Sequence, residues 1–381
     1  MVDKDILTIL RKETERQQDT IELIASENFA SDAVRELCGS VFTNKYAEGY
    51  PGRRYYNGCK YMDEIENLAI EEVKKLYGCK FANVQPHSGV NANSAVYQAL
   101  MQPGDTILGM DLASGGHLSH GAPPTHSGKY YKAYTYGVND RGWIDYGQVR
   151  MLAKKYSPEV IVAGASAYPR EIEWSTFRDI AEEVNAYLVC DMAHYSGLIA
   201  GGQYPSPLPY ADAVTSTTHK TLRGPRGGMI LWNNPALTKK INGAIFPGTQ
   251  GGPLMNIIAA KAQCFVEANT QEFRQYITAV KNSAKLLADG LIMGGYNIAT
   301  GGTDSHIVLV DLSNKKISGR EAADLLEKNG ITVNKNGVPN DPRSFVETSG
   351  IRLGTAAEVT RGRDMNWFLN LGHTIAEILD K

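Results

Sequence analysis

Tyr210-Ala211-Asp212-Ala213-Val214-Thr215 is apolar and β-prone. It runs into Thr217-Thr218-His219-Lys220-Thr221-Leu222 and then into the turn Arg223-Gly224-Pro225-Arg226-Gly227-Gly228. A lysine therefore sits between a strand end and a glycine-rich loop, among hydroxyls and a histidine. Upstream the pattern repeats: Ala186-Tyr187-Leu188-Val189-Cys190 is a second apolar strand, and it ends on Asp191-Met192-Ala193-His194.

Working outward, strand and helix patterns alternate. Helices are predicted over 63–77, 91–101 and 174–184, and strands over 81–84, 106–110, 160–163, 188–190, 213–216 and 228–231. Strands spaced by helices imply βαβ units and a mostly parallel sheet covered on both faces. Ligands of such sheets sit at the carboxyl ends of the strands, where Ser88-Gly89, His117, Asp191 and Lys220 fall. From residue 271 the pattern changes to a long helix over 271–293, a strand over 305–310, a helix over 319–329, a strand over 331–333 and a last helix from 364. This gives three regions: a charged helical arm at 1–20, a large domain at 21–270 and a small α/β domain at 271–381.

Composition narrows the class. The chain has 381 residues, 43% hydrophobic and 21% charged, with a net charge of -2. That suits a two-domain globular protein. It leaves no basic stripe for nucleic acid and no apolar run near the roughly 20 residues that span a bilayer. The N-terminal residues lack a signal-peptide core, so a cytoplasmic protein is expected. Five scattered cysteines without a CxxC pair argue against a disulfide framework or zinc site, and Cys190 reads as a buried, inert thiol.

A lone loop lysine is ordinarily a solvated charge, and a lone strand-end aspartate a turn former. Together they suggest more: a lysine suited to Schiff-base formation and an aspartate suited to a protonated pyridine are what a pyridoxal 5'-phosphate (PLP) enzyme needs. Ser88-Gly89-Val90 opens a predicted helix whose N–H groups can face an anion, and Gly251-Gly252 is a second possible cradle. His117 and His120 lie three apart, but no carboxylate or thiol is close in sequence, so stacking of His117 on a ring is preferred to metal binding. Arg352, in Ser349-Gly350-Ile351-Arg352-Leu353-Gly354-Thr355, can grip an amino-acid carboxylate with two parallel hydrogen bonds. The segment 43–61, with Tyr46, Glu48, Tyr50, Arg53, Arg54, Tyr55 and Tyr56, is too polar for core and too aromatic for a linker.

Several longer strings now come together. They are Ile21-Glu22-Leu23-Ile24-Ala25-Ser26-Glu27-Asn28, Thr43-Asn44-Lys45-Tyr46-Ala47-Glu48-Gly49-Tyr50-Pro51-Gly52, Asn83-Val84-Gln85-Pro86-His87-Ser88-Gly89 and Gly115-Gly116-His117-Leu118. With the Asp191 and Lys220 motifs, Asn334-Lys335-Asn336 and Ser349-Gly350-Ile351-Arg352, they run in order over nearly the whole chain. In these strings the chain resembles the serine hydroxymethyltransferases. The resemblance implies a fold-type I PLP-dependent transferase with a seven-stranded sheet, acting as a homodimer on serine and glycine with tetrahydrofolate as co-substrate. It implies that Lys220 holds PLP, Asp191 pairs the pyridine nitrogen, His117 stacks on the ring, and His194 and Ser166 hold the phenolic oxygen. Ser88 and Gly89 would bind the phosphate, with Tyr46 and Gly252 reaching in from the second subunit. Ser26, Arg352 and the second subunit's Tyr56 would bind the substrate carboxylate. Glu48 would manage the hydroxymethyl proton, with His219 beside the lysine. Tyr55, Leu112, Leu118 and Asn336 would line a folate pocket.

The chain departs from the family pattern at identifiable points. Val90 replaces a hydroxyl residue on the phosphate, and a lost hydrogen bond to a charged group costs roughly 1.5–3 kcal/mol. Thr249 and Asn256 replace a glycine and a histidine, and Glu358 an apolar or small residue. The chain is short at both ends relative to the family, so a weakened small domain or an altered dimer is expected. Phe345-Val346-Glu347 replaces a Pro-Phe-Val string near the folate rings. That change motivates an alternative: a folate-independent PLP aldolase or transaldolase acting on threonine-like β-hydroxy amino acids.

Overall fold

The computed structural model describes residues 2–381. Its largest sheet has seven strands, in spatial order Phe81–Asn83, Gly228–Trp232, Ala213–Thr217, Tyr187–Asp191, Val160–Ala163, Thr106–Met110 and Lys132–Tyr136. The pairings from Ala213–Thr217 to Lys132–Tyr136 are parallel. Gly228–Trp232 runs antiparallel to both its neighbours. Every residue of Val160–Ala163, Ala213–Thr217 and Gly228–Trp232 is buried, as expected of strands covered on both faces.

Register decides which ends meet. Asp191 lies opposite Thr215, and Thr217 opposite Gly228. The reversed strand therefore brings its glycine-rich start to the same edge as the carboxyl ends of the strands bearing Asp191 and Thr217. Ser88 caps the helix Gly89–Leu100, its Oγ accepting from the Asn91 N–H at 3.2 Å, so the helix begins at that edge too.

A second sheet of four antiparallel strands follows the order Asn297–Ile298, Ile307–Asp311, Gly350–Gly354 and Asn334–Asn336. It packs against Gln271–Met293 and Met365–Leu379 around Leu287, Val308 and Phe368, and Leu23 belongs to the same apolar cluster. A capping box of Ser318 and Glu321 starts Gly319–Lys328. The helix Lys4–Asp19 buries none of its side chains.

Several elements escaped the sequence reading, among them Lys132–Tyr136, Tyr146–Tyr156 and Gly350–Gly354. Lys132–Tyr136 is the edge strand, with only its last residue buried, so its apolar signal is weak. Tyr146–Tyr156 has two buried residues in eleven. Gly350–Gly354 is fully buried, but its glycines and arginine read as a loop. The strand expected at 331–333 lies outside the four-stranded sheet; Ile331–Thr332 pairs in parallel with Ile21–Glu22. Among the described residues no helix is long and apolar enough to cross a membrane.

Candidate active site

The Lys220 loop is tied down from several sides. Thr218 Oγ1 donates to the Pro225 carbonyl at 2.6 Å, the Gly224 N–H to the Thr218 carbonyl at 2.7 Å, and Asn28 Nδ2 to the Lys220 carbonyl at 2.9 Å. A side chain at 224 is excluded, because a Cβ there would sit 2.5 Å from Cys264 Sγ. Thr221 Oγ1 donates to the His194 carbonyl at 3.1 Å and so links the two strand-end loops. Lys220 itself is 8% exposed. Burial pulls its pKa down to about 8; Arg352 and Arg226 pull the same way, against Asp191. The neutral, nucleophilic amine is therefore accessible near neutral pH.

Lys220 opens onto a cavity of about 430 Å³ shared with Ser88, Gly89, His117, Asp191 and Arg352. Ser26, Ser166, His194 and His219 also line it. Asp191 is buried and accepts from Asn93 Nδ2 at 2.8 Å and His120 Nε2 at 3.0 Å through Oδ2, and from the Ala193 N–H at 3.0 Å through Oδ1. Burial alone would raise its pKa; the hydrogen bond and charge of His120, with Asn93, outweigh that and hold it well below the usual carboxylate range. A carboxylate only accepts, so His120 Nε2 carries the proton. Thr215 Oγ1 donates to Asn93 Oδ1 at 2.5 Å and fixes that amide in turn.

The other histidines that line the cavity, His117, His194 and His219, are held neutral. Burial, then His120, pulls the His117 pKa down to about 4; its Nδ1 accepts from the Ser119 N–H at 3.1 Å. His219 is lowered to about 3 by burial, Arg226 and Lys220. His194 lies well below its ordinary value, chiefly through burial, and stacks on His306 with ring centroids 5.6 Å apart. Arg352 is 9% exposed. Its Nη1 donates to the Ser166 carbonyl at 2.7 Å and its Nε to Asn334 Oδ1 at 3.1 Å. Nη2 has no hydrogen-bond partner among the described residues, which leaves one arm of the fork for a ligand.

Tyr46, Glu48, Tyr56 and Gly252 form a separate group. Tyr46 and Tyr56 meet edge to face at 5.1 Å. The Glu48 carboxylate beside Tyr46 raises the phenol's pKa. Gly252 presses on the Tyr46 ring, since a Cβ there would lie 3.0 Å from Cζ. Tyr55 packs on Phe246 at 5.6 Å. None of these lines the Lys220 cavity, nor do Leu112, Leu118 or Asn336. Leu118 is half exposed beside His117, and Asn336 lies on the small sheet with Nδ2 on the Gly337 carbonyl at 2.7 Å.

The family model for serine hydroxymethyltransferase matches residues 1–375. The chain belongs to the serine hydroxymethyltransferase family. It is 59% identical over 379 residues to the serine hydroxymethyltransferase of Rhodospirillum centenum, an alignment covering 99% of this chain and 88% of that protein. It is 58% identical, at the same coverage, to serine hydroxymethyltransferase 2 of Rhodospirillum rubrum. To the serine hydroxymethyltransferase of Rickettsia africae it is 58% identical, over 99% of this chain and 90% of that one. The fold is accordingly that of the fold-type I PLP enzymes, and the family uses PLP as cofactor and tetrahydrofolate as co-substrate.

The residues of the cavity fit PLP. Thr217 Oγ1 is buried at the cavity with no hydrogen-bond partner. Gly89 lies so close to Thr217 that a Cβ would meet its methyl at 2.7 Å, which leaves the N–H groups that open Gly89–Leu100 clear for a phosphate. Val90 lines this cradle without a hydroxyl. Sequence reasoning missed Thr217, His120 and Asn93. His120 was visible only as a member of a possible metal pair; Asn93 lies one turn into the helix, on the side of Gly89. Of the other departures, Asn256 donates to the Cys38 carbonyl at 2.7 Å, and Glu358 is buried, accepting from the Glu22 N–H at 2.8 Å and Arg361 Nη1 at 2.7 Å. Phe345 is 74% exposed.

Proposed function

We propose that this chain catalyses the reversible transfer of the serine hydroxymethyl group to tetrahydrofolate, giving glycine and 5,10-methylenetetrahydrofolate, with PLP as its cofactor. The observation that supports this most is the shared cavity: a buried lysine with a depressed pKa, a carboxylate held as an anion, and a buried guanidinium with one free arm.

Lys220 would hold the cofactor's aldehyde carbon, Asp191 its ring nitrogen, and Ser166 and His194 its phenolic oxygen. Neutral His117 would lie against the ring, and Ser88, Gly89 and the helix start would hold the phosphate. When bound, PLP supplies an electron sink for the carbanion left as the serine Cα–Cβ bond breaks. Asp191, kept anionic by His120 and Asn93, keeps a proton on the ring nitrogen. Arg352 and Ser26 grip the substrate carboxylate, which sets the orientation of the breaking bond. His219 offers an open, buried Nδ1 beside the lysine.

The Tyr46–Glu48 group is assigned to the site of a second copy of the chain. The partner's Tyr46 and the partner's Gly252 would complete the phosphate cradle, the partner's Tyr56 would reach the carboxylate, and the partner's Glu48 would move the hydroxymethyl proton. Tyr55, Leu112, Leu118 and Asn336 are assigned to the folate pocket. Residues 1–20 serve as an arm, 21–270 as the PLP-binding domain and 271–381 as the small domain. We assign the protein to the cytoplasm, where its five unpaired cysteines would stay reduced.

The test is the visible spectrum of PLP-loaded protein with glycine, before and after tetrahydrofolate, together with product analysis from serine. A long-wavelength band that grows with tetrahydrofolate, and glycine formed only with it, are expected. A spectrum indifferent to tetrahydrofolate, with cleavage of β-hydroxy amino acids in its absence, would replace the transferase with an aldolase.

A further inference from the structure

Behind the phosphate cradle lies a buried lysine with no part in the chemistry above. Lys261 belongs to the helix Met255–Ala268 and is 1% exposed. Its Nζ donates to the carbonyls of Val84 at 2.7 Å, Pro86 at 3.0 Å and Gly228 at 2.8 Å. An ammonium has three protons, and here each has a backbone acceptor. Burying such a group costs several kcal/mol, and a leucine or methionine would occupy a helix position facing the core without that cost. What the lysine adds is position: it ties two separate chain segments to one point.

Those segments form the cradle's two backing walls, one carrying Ser88 into the cavity and the other, at Gly228, packed directly behind it. Val84 and Pro86 lie in the turn that leads into Ser88, and Gly228 begins the reversed strand. The Gly228 N–H also donates to the Pro86 carbonyl at 3.0 Å. The walls touch so closely that a Cβ on Gly228 would fall 2.2 Å from the Ser88 carbonyl oxygen, and one on Gly227 would fall 2.5 Å from Lys261 Cε. Gln250 braces the same turn from the other side, Nε2 donating to the Gln85 carbonyl at 2.7 Å and Oε1 accepting from the His87 N–H at 3.3 Å.

We propose that Lys261 is a positioning residue for the cofactor phosphate, holding the Val84–Ser88 turn against Gly228 so that Ser88 and the start of Gly89–Leu100 meet the anion in register. This rests on the PLP reading of the site. It predicts that loss of Lys261 weakens binding of the phosphate end specifically, because Lys220 and Asp191 hang from other strands.

The experiment compares binding of PLP with that of pyridoxal, which lacks the phosphate, to the apoprotein by fluorescence titration. It uses the parent, Lys261→Met and Gln250→Leu, with thermal unfolding of each apoprotein alongside. In the parent, PLP should bind far more tightly than pyridoxal; equal binding would overturn the PLP reading itself. In Lys261→Met we expect about tenfold or greater loss for PLP, the scale of one displaced charge-assisted hydrogen bond, with pyridoxal changed by less than about threefold. Gln250→Leu should show the same selectivity, more weakly, and serves alone if Lys261→Met fails to fold. Equal losses for both ligands, or an unchanged preference for PLP in a folded variant, would overturn the proposal while leaving the site assignment intact.

Discussion

Replacing His120 with phenylalanine removes one of three donors from the buried Asp191 carboxylate while keeping most of the ring's volume. Asn93 and the Ala193 N–H remain, at 2.8 and 3.0 Å, so Asp191 stays paired but is held less firmly as an anion. A hydrogen bond to a charged group contributes about 1.5–3 kcal/mol, which corresponds to roughly 10- to 150-fold in an equilibrium or rate. The Arg352 fork is held by Ser166 and Asn334 and does not depend on His120, so the loss should fall on kcat and spare the KM for serine. Steady-state kinetics of His120→Phe should therefore show kcat lowered about 10- to 100-fold with KM within about threefold. Because Asn93 and His120 share Oδ2, the Asn93→Ala, His120→Phe double variant should be non-additive. A His120→Phe enzyme with unchanged kcat, or one whose defect lies wholly in KM, would refute the role given to this bond.

The depressed Lys220 pKa predicts that the rate of PLP uptake by apoprotein rises with pH through about 8 and then levels; a rise centred near the ordinary lysine value would contradict it. Borohydride reduction of loaded protein should fix the cofactor mass on the Lys220 peptide, and Lys220→Ala should show neither label nor turnover. Arg352→Ala should raise the KM for serine about 100-fold, the scale of a lost buried charge pair, while PLP still binds; unchanged serine affinity would remove Arg352 from the substrate site. Burial raises the Glu22 pKa to about 7, with Glu27 adding to it and hydrogen bonds from the Ile24 N–H and Thr332 opposing. A raised carboxyl pKa means the folded state binds more protons than the unfolded one, so stability present below about pH 4.5 is lost as pH rises through about 7. Glu22→Gln should then melt higher than the parent at pH 8 and match it near pH 4; equal melting at pH 8 would count against this.

Strand–helix alternation and the placing of Lys220 and Asp191 at strand ends were legible, because each is a local pattern of period and punctuation; local reading found six strands of the large sheet, and the seventh was implied only by the family resemblance. The helix Gln271–Met293 and the strands Thr106–Met110 and Val160–Ala163 lie where the sequence predicts them. What stayed hidden was the half-exposed edge strand Lys132–Tyr136 and the strand Gly350–Gly354, whose small residues pack tightly but carry little apolar signal. The departures at Val90 and Glu358 were visible as residues, but their settings were not: Glu358 turns out to be fully buried and tied to Arg361.

The sequence by itself determined the fold class, the family and the pair of residues on which PLP chemistry would turn, since a lysine and an aspartate on strand ends need only local reading. Tertiary structure alone decided that His120 and Asn93 hold Asp191, that Lys261 ties two segments under the cradle, and that Tyr46 and Glu48 stand apart from Lys220 within one chain. These are contacts between residues far apart in the chain. A long-range hydrogen bond leaves no periodic trace in a sequence; it exists only where the register of a folded sheet brings its donor and acceptor together.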